Sequence, residues 1–576
     1  MRIGLIPLDE RPANTRYPAM LAAIAGAELA LPPAESLSVR RGPADCAALG
    51  RWLAAEAPRL DALIVALEQL GYGGLIAART SAEPVATILA RLEPLRALRR
   101  AHPNLTIYGF SVITRVSNAN DAVEEPAYWA EYGERLYALS QLLDRRRQGQ
   151  PVAAALAALE AAIPAAHRRD FLSRRLRNHA VNLANLGLLE DATLDLLVLS
   201  SDDTSPVGLP SAEKAWIAGW GELLERGRQG DKETRRQGDE ETRRQGDKET
   251  RRQGDKETAR RYRQVSPGLP VSLSPGLLMY PGADEVACVL LARLLNVRAG
   301  AVPRVAVRYA PPEAAANVAA YEDGPIQLTV ERQLLAAGGR LAEDGASLIP
   351  HPSSLIPHPS SLIPQADLWL GVNAPLPRRA EWDSAHAEQE RAGRQDALAA
   401  LVAAARAQLA AGTPVAIADV AYPNGADPAL SDALLGGIEL AALAAYGAWN
   451  TAGNTLGCVI AHAFVARLIT TAEGRAAHMR FLLHRLVEDW GYQQLERAEL
   501  RSWLRATTGH PDPQTPELVA TAEARIEARL GAFIARLPAF AETFRITPGS
   551  VRLPWGRTFE VDFAVQSFPE GGDRAA

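Results

Sequence analysis

Residues 194–210 read LDLLVLSSDDTSPVGLP. An apolar run stops at two adjacent carboxylates, Asp202 and Asp203, and then enters a stretch of small and turn-forming residues. A short continuous apolar run bounded by turn signals marks a strand buried on both faces. The same kind of run recurs at 2–8 (RIGLIPL), 61–67 (DALIVAL), 105–113 (LTIYGFSVI), 276–280 (GLLMY), 304–310 (RVAVRYA), 366–372 (ADLWLGV) and 414–420 (PVAIADV). Between the runs lie stretches of helical period such as 82–101 and 284–297. Strands alternating with helices predict parallel strands joined by crossover helices, hence an α/β fold. Eight such units predict a TIM-like (β/α)8 barrel over residues 1–465, with a doubly wound open sheet as the rival.

The last hundred residues break this rhythm. Residues 480–504 and 521–537 read as helices and 544–566 as a hairpin, so 466–576 is expected to pack on the barrel or cap its mouth. Two segments stand outside the architecture, in insertions at 226–266 and 345–364. Residues 228–258 repeat an eight-residue charged unit that cannot bury a core, and hold three of the four lysines. Residues 347–364 repeat SLIPHPS; their His351 and His358 come from duplication rather than from a metal site.

Composition excludes several classes. A 576-residue chain with 47% hydrophobic and 22% charged residues builds a sizeable globular core. A net charge of −5 leaves no basic footprint for nucleic acid. Three scattered cysteines, Cys46, Cys288 and Cys458, give neither a disulfide framework nor a metal knuckle and are expected as thiols. The opening MRIGLIPLDERP reads as a strand and not as an export signal, and no segment reaches the roughly 20 apolar residues of a membrane span. A cytoplasmic protein without membrane contact is expected, of undetermined oligomeric state.

In a parallel barrel the C-terminal strand ends converge on one mouth, where active sites are built. The residues there are polar at nearly every strand. They are Asp9, Glu10, Arg11 and Asn14 after the first run, Glu68 and Tyr72 after the second, and Arg115 after the third. Asp202 and Asp203 follow the fourth, Asp284 the fifth, Tyr321 and Asp323 the sixth, and Asp419, Asn424 and Asp427 the eighth. Beyond lie Trp449, Asn450 and Asn454. Such a set fits a small carbohydrate, with Trp449 as stacking platform and the polar groups on hydroxyls. Some members also fit structural roles, since an Asp that opens a helix is commonly its N-cap.

The adjacent pair restricts the chemistry. Direct glycosidases place their carboxyl groups about 5–9.5 Å apart on opposite sides of the sugar, which neighbours in sequence fit poorly. They fit the substrate-assisted variant, in which the sugar's acetamido oxygen is the nucleophile, one carboxylate orients the acetamido N–H and the other protonates the leaving oxygen. Repulsion between the two raises one pKa and keeps that group a proton donor.

The chain resembles the bacterial family DUF4127, through IPLDERPANTRYP, GYGGLIAARTS, SSDDTSPVGLP, PGADE, YEDGP, ADVAYPNGAD, YGAWNTAGNTLG and LPWGRTFEV, spread over positions 6 to 561. That resemblance implies no activity. A looser similarity, carried by the Asp–Asp dipeptide after the fourth strand, is to O-GlcNAcase-type β-N-acetylhexosaminidases. It implies Asp202 as the acetamido-orienting group and Asp203 as the acid. The leading expectation is a retaining glycoside hydrolase on a β-linked N-acetylhexosamine, needing no cofactor and no metal. The alternatives are a metal-dependent hydrolase using Asp9, Asp202, Asp203, Asp284 and Asp419, and a non-catalytic sugar- or metabolite-binding protein.

Overall fold

The computed structural model describes residues 1–224, 276–342 and 366–568. The charged repeat and the SLIPHPS repeat, with His351 and His358, lie outside the described residues.

All eight apolar runs are strands, but they divide between two sheets. The first contains β1 (Arg2–Ile6), β2 (Glu28–Ala30), β3 (Ala62–Ala66), β4 (Thr106–Ile113), β5 (Leu196–Ser201) and β6 (Leu277–Pro281). Its order is β2-β1-β3-β4-β5-β6 with every pair parallel. The second contains β7 (Arg304–Ala310), β8 (Arg340–Leu341), β9 (Leu368–Asn373), β10 (Val415–Asp419) and β11 (Ala445–Gly447), in the order β11-β10-β9-β7-β8, again all parallel. Counted from its own first strand, each sheet follows the doubly wound order 2-1-3-4-5, the first with a sixth strand added. The mixed α/β character and the parallel strands stand; among the described residues the strands pair as a six-stranded and a five-stranded parallel sheet, and closure into a single barrel is not shown.

The break falls after β6, at the helix Val286–Arg298. This helix is apolar on every side and buried along nearly its whole length, as is Ala452–Ala466. The two lie against each other in a central layer, with Arg16–Ile24 and Ile326–Ala336, between facing surfaces of the sheets. Gly457 lets them approach: a Cβ there would stand 2.2 Å from Glu285 Cγ. One face of each sheet feeds this core, through Ile3, Phe110 and Val198 on one side and Leu370, Val372 and Ala416 on the other. The outer faces are covered separately. Ile107, Leu197 and Leu199 pack under Leu49, Leu53, Leu92 and Leu95, and Trp369 and Ile417 pack with Leu401, Leu430 and Leu482. Burial on both faces explains why the strand sequences are continuous apolar runs rather than alternating ones.

From Ala472 to Ile534 the chain is helical apart from a loop at 509–515. Its side chains Leu483, Leu486, Ile526 and Leu530 join the outer core of the second sheet. The expected hairpin is present as β12 (Phe544–Ile546) antiparallel to β13 (Val565–Ser567). All three cysteines are free thiols. Among the described residues no helix is long and apolar enough to cross a membrane.

Candidate active site

β5 ends level with its neighbours, Ser201 pairing with Ile113 of β4 and with Pro281 of β6. The next residue keeps one more sheet bond, Asp202 N donating to Ile113 O at 3.2 Å. Asp203 then turns into the left-handed region with φ 37°. The two side chains consequently meet different cations. Asp202 accepts a hydrogen bond from Arg79, and Asp203 accepts from Arg115 Nη1 at 2.8 Å. Arg79 belongs to the helix Leu75–Thr80, which begins directly after Gly73 (φ 84°) and Gly74 (φ 120°). A Cβ on Gly74 would stand 2.7 Å from Ser38 Oγ, so this glycine serves the tight turn that aims Arg79. Glu124 ties the cations together, accepting from Arg79 at 2.8 Å, from Arg115 at 3.1 Å and from Arg557. Its own burial favours the neutral form but is outweighed by Arg115, Arg557 and Arg79, which hold Glu124 well below the usual carboxylate range. Asp203 is shifted the other way: burial first, then the charge of Asp202, raise it against the opposing pull of Arg115.

A second network joins the ends of β1 and β6 to the second sheet and to the C-terminal segment. Arg11 pairs with Asp9 at 2.8 Å and with Asp284 at 2.5 Å. Asn14 donates to Asp9 at 2.9 Å, and Asn450 donates to Asp284 at 3.2 Å. Asn454 Oδ1 accepts from the backbone N–H groups of Ala283 and Asp284, both at 3.1 Å. The Arg11 guanidinium lies 4.8 Å from the Trp555 ring centre, and Glu560 stands 3.8 Å from it. Burial, offset in part by Arg11 and Arg557, pushes Glu560 up to about 7.

The strand ends of both sheets open into one cleft of about 1100 Å³, closed on its far side by residues 497–514 and 555–559. This is the crevice beyond the carboxyl ends of parallel strands where doubly wound proteins bind ligands. Two features distinguish it from an ordinary surface groove. Nine arginines line it against six carboxylates. In addition, eight non-glycine residues of the described chain have left-handed backbone, and seven of them line this cleft: Arg40, Asp203, Tyr321, Arg379, Asn424, Asn450 and Trp555. Each such conformation costs on the order of 1–3 kcal/mol, and strain of this kind collects where side chains must be aimed at a ligand.

Of the residues expected at the site, Arg11, Arg115, Asp202, Asp203, Asp284, Tyr321, Asn424, Asn450 and Asn454 line the cleft together. The others lie behind it or elsewhere. Trp449 is not placed as a platform: it is 2% exposed, edge-on to Tyr17 at 6.2 Å and beneath Arg485. Glu68 is buried with Ser111 Oγ (2.6 Å) and Val112 N (2.8 Å), and burial pushes it up to about 7. Tyr72 packs under Arg177, and Asp323 pairs with Lys214 at 2.7 Å. Asp9 and Asn14 support Arg11 from below, and Glu10 accepts from Trp555 Nε1.

Asp419 and Asp427 form their own buried centre with Asn373 and Arg394. Asn373 Nδ2 bonds both carboxylates, at 2.8 and 2.9 Å, and Asp427 caps the helix Pro428–Gly437. Burial and the Asp427 charge push Asp419 up to about 7. The five aspartates considered as a metal cluster are therefore divided among three separate networks. Among the described residues no group of three His, Cys, Asp or Glu side chains is placed to hold an ion.

Sequence reading missed Arg79, Glu124, Arg379, Arg497, Arg501 and the wall formed by Trp555, Arg557 and Phe559. A signal existed for four of these. Arg79 stands inside GYGGLIAARTS, and Trp555, Arg557 and Phe559 stand inside LPWGRTFEV, the stretches that carry the resemblance. The Trp555 ring is in contact with both Arg11 and Arg557, at 4.8 and 4.4 Å.

Comparison with known proteins finds no match among curated proteins and none among solved structures, and nothing that bears on the looser similarity to hexosaminidases. One family does match, over residues 3–228, 248–351 and 358–564, with both interruptions falling inside the two repeats. The chain belongs to DUF4127, a family described as protein of unknown function.

Proposed function

We propose that the cleft hydrolyses a glycosidic bond of a β-linked N-acetylhexosamine, with Asp203 as the proton donor and Asp202 as the group that holds the substrate's acetamido N–H. The observation that carries this reading is the unequal setting of the two neighbours. Asp203 sits on strained backbone, faces the cleft and is shifted toward its protonated form; Asp202 is 8% exposed and bound to Arg79. Two carboxyl groups whose environments drive them apart are the usual arrangement for one acid and one charged partner.

In this reading the acetamido carbonyl oxygen attacks the anomeric carbon as the glycosidic C–O bond breaks, and the Asp203 proton passes to the leaving oxygen. The positive charge of the resulting oxazolinium ring is balanced by Asp202 at its N–H. Water then adds to the anomeric carbon and gives one proton to Asp203, which restores the enzyme and the acetamido group. Tyr321, 39% exposed and on left-handed backbone beside the pair, is the aromatic surface best presented for stacking on the sugar. Asn424, Asn450 and Asn454 supply amides for its hydroxyls.

A binding protein without turnover is the second reading. It is favoured by the pairing of both aspartates with arginines, since an ion-paired carboxyl group gives up its role as acid. The two readings separate on release of the aglycone from an aryl N-acetyl-β-hexosaminide. Hydrolysis by the full chain, nearly abolished in Asp203→Asn, supports the first; unchanged turnover in that variant removes Asp203 from the chemistry.

A further inference from the structure

We propose that the C-terminal wall of the cleft is an anion subsite, in which Arg497 and Arg501 receive a phosphate or carboxylate group carried by the sugar. This rests on the sugar-hydrolase reading of the same cleft and adds the charge of its substrate.

The helix Arg497–Thr508 presents both arginines to the cleft, one turn apart. Arg497 is only 8% exposed; its Nε donates to Thr558 O at 3.1 Å, and its guanidinium lies 5.5 Å from the Phe559 ring. Arg501 Nε is buried and has no hydrogen-bond partner among the described residues. Four of the cleft's other arginines, Arg11, Arg79, Arg115 and Arg557, each have a carboxylate at ion-pair distance. Among the described residues Arg497 and Arg501 have none, like Arg40, Arg145 and Arg379, but Arg497 is buried and Arg501 Nε is buried without a partner. The two acids nearest in influence are engaged elsewhere. Asp512 accepts from Thr558 N and Oγ1 at 2.7 and 2.6 Å, and Glu381 accepts from Asn424 at 2.8 Å.

Like charges one turn apart on a helix repel, and a desolvated guanidinium without a counter-charge is costly. Burial accordingly pulls Arg497 below its ordinary range, and Arg501 adds to the effect. An oxyanion placed between the two forks removes both penalties at once, and a planar guanidinium matches phosphate or carboxylate oxygens in pairs.

The test is titration calorimetry of the full chain at constant ionic strength. The ligands are inorganic phosphate, N-acetylglucosamine, N-acetylglucosamine 6-phosphate and N-acetylmuramic acid. The expected result is that phosphate binds, and that one of the charged sugars binds about tenfold or more tightly than the neutral one, as a charge-assisted pair provides. Whichever charged sugar gains identifies the group as phosphate or carboxylate. In Arg501→Gln, whose guanidinium makes no hydrogen bond among the described residues, the difference between charged and neutral sugars collapses to about twofold or less, and phosphate binding is lost. Arg497→Gln does the same if it folds; its bond to Thr558 makes Arg501→Gln the decisive variant. Equal affinity for all three sugars, no binding of phosphate, or a preference that survives in Arg501→Gln overturns the subsite. Aryl hexosaminide turnover is measured separately, so an Arg501-dependent preference without hydrolysis keeps the subsite and removes the hydrolase, and the reverse result does the opposite.

Discussion

Arg115 Nη1 lies 2.8 Å from Asp203 Oδ2, while Arg79 holds the neighbouring Asp202. A dipeptide of like charges is thereby divided between two cations. Arg115 opposes the upward shift that burial and Asp202 impose on Asp203. Replacing it with Gln removes the opposition, so the Asp203 proton is held to higher pH. If Asp203 acts as an acid, the basic limb of the pH–rate profile moves up by about one unit in Arg115→Gln. A limb that stays in place or moves down speaks against that role.

Trp555 stands in the wall of the cleft, donating to Glu10 and in contact with both Arg11 and Arg557. Trp555→Ala deletes two cation–π contacts worth about 0.5–2 kcal/mol each and frees the Arg557 side of the wall. Weaker sugar binding is expected alongside a modest drop in melting temperature. Calorimetry and thermal melting read the two effects separately.

Trp449 gives the contrasting result. It lies in the central core against Tyr17, so Trp449→Ala is expected to destabilise the fold by about 3–5 kcal/mol. Chemical denaturation measures this. A variant of normal stability that has lost sugar binding would return Trp449 to the role of platform.

Two buried acids give the fold a pH dependence. Burial pushes Glu285 and Glu322 each up to about 8, and the charges of Asp284 and Asp323 add to it. Both carboxyl groups hold a proton in the folded chain that the unfolded chain has released above about pH 4.5. Their contribution is full below that value and is lost as pH rises to about 8, at up to about 1.4 kcal/mol per pH unit for each. Glu285→Gln and Glu322→Gln should each flatten the fall in stability between pH 5 and 8 in urea titrations. Slopes identical to that of the unaltered chain would show that these groups are ionised in the fold.

The strands were legible because each is buried on both faces and therefore spells a continuous apolar run. Polar strand ends were legible for the same reason: Asp202, Asp203 and Asp284 interrupt those runs where the sheet stops. Division into two sheets left little trace, since parallel pairing adds no mark to a sequence. The one local sign was the helix Val286–Arg298, apolar on all sides and so destined for an interior layer. Three-residue edge strands such as β2 and β11 are too short to show a pattern. Trp449 resembled a platform because a tryptophan in a strand-end loop fits either role, and only its packing on Tyr17 decides between them. Arg497 and Arg501 could be read as helical but not as part of the site. The wall that their helix meets is chosen by the packing of Leu500 and Leu504 in the outer core.

If Asp203 delivers a proton to the leaving oxygen, turnover depends on how much the leaving group needs one. Turnover of a phenyl and of a dinitrophenyl N-acetyl-β-hexosaminide is compared between the unaltered chain and Asp203→Asn. The expected loss is about 10²–10⁴-fold on the phenyl substrate, which needs protonation, and far smaller on the dinitrophenyl substrate, which does not. Equal losses on both substrates would contradict proton delivery by Asp203.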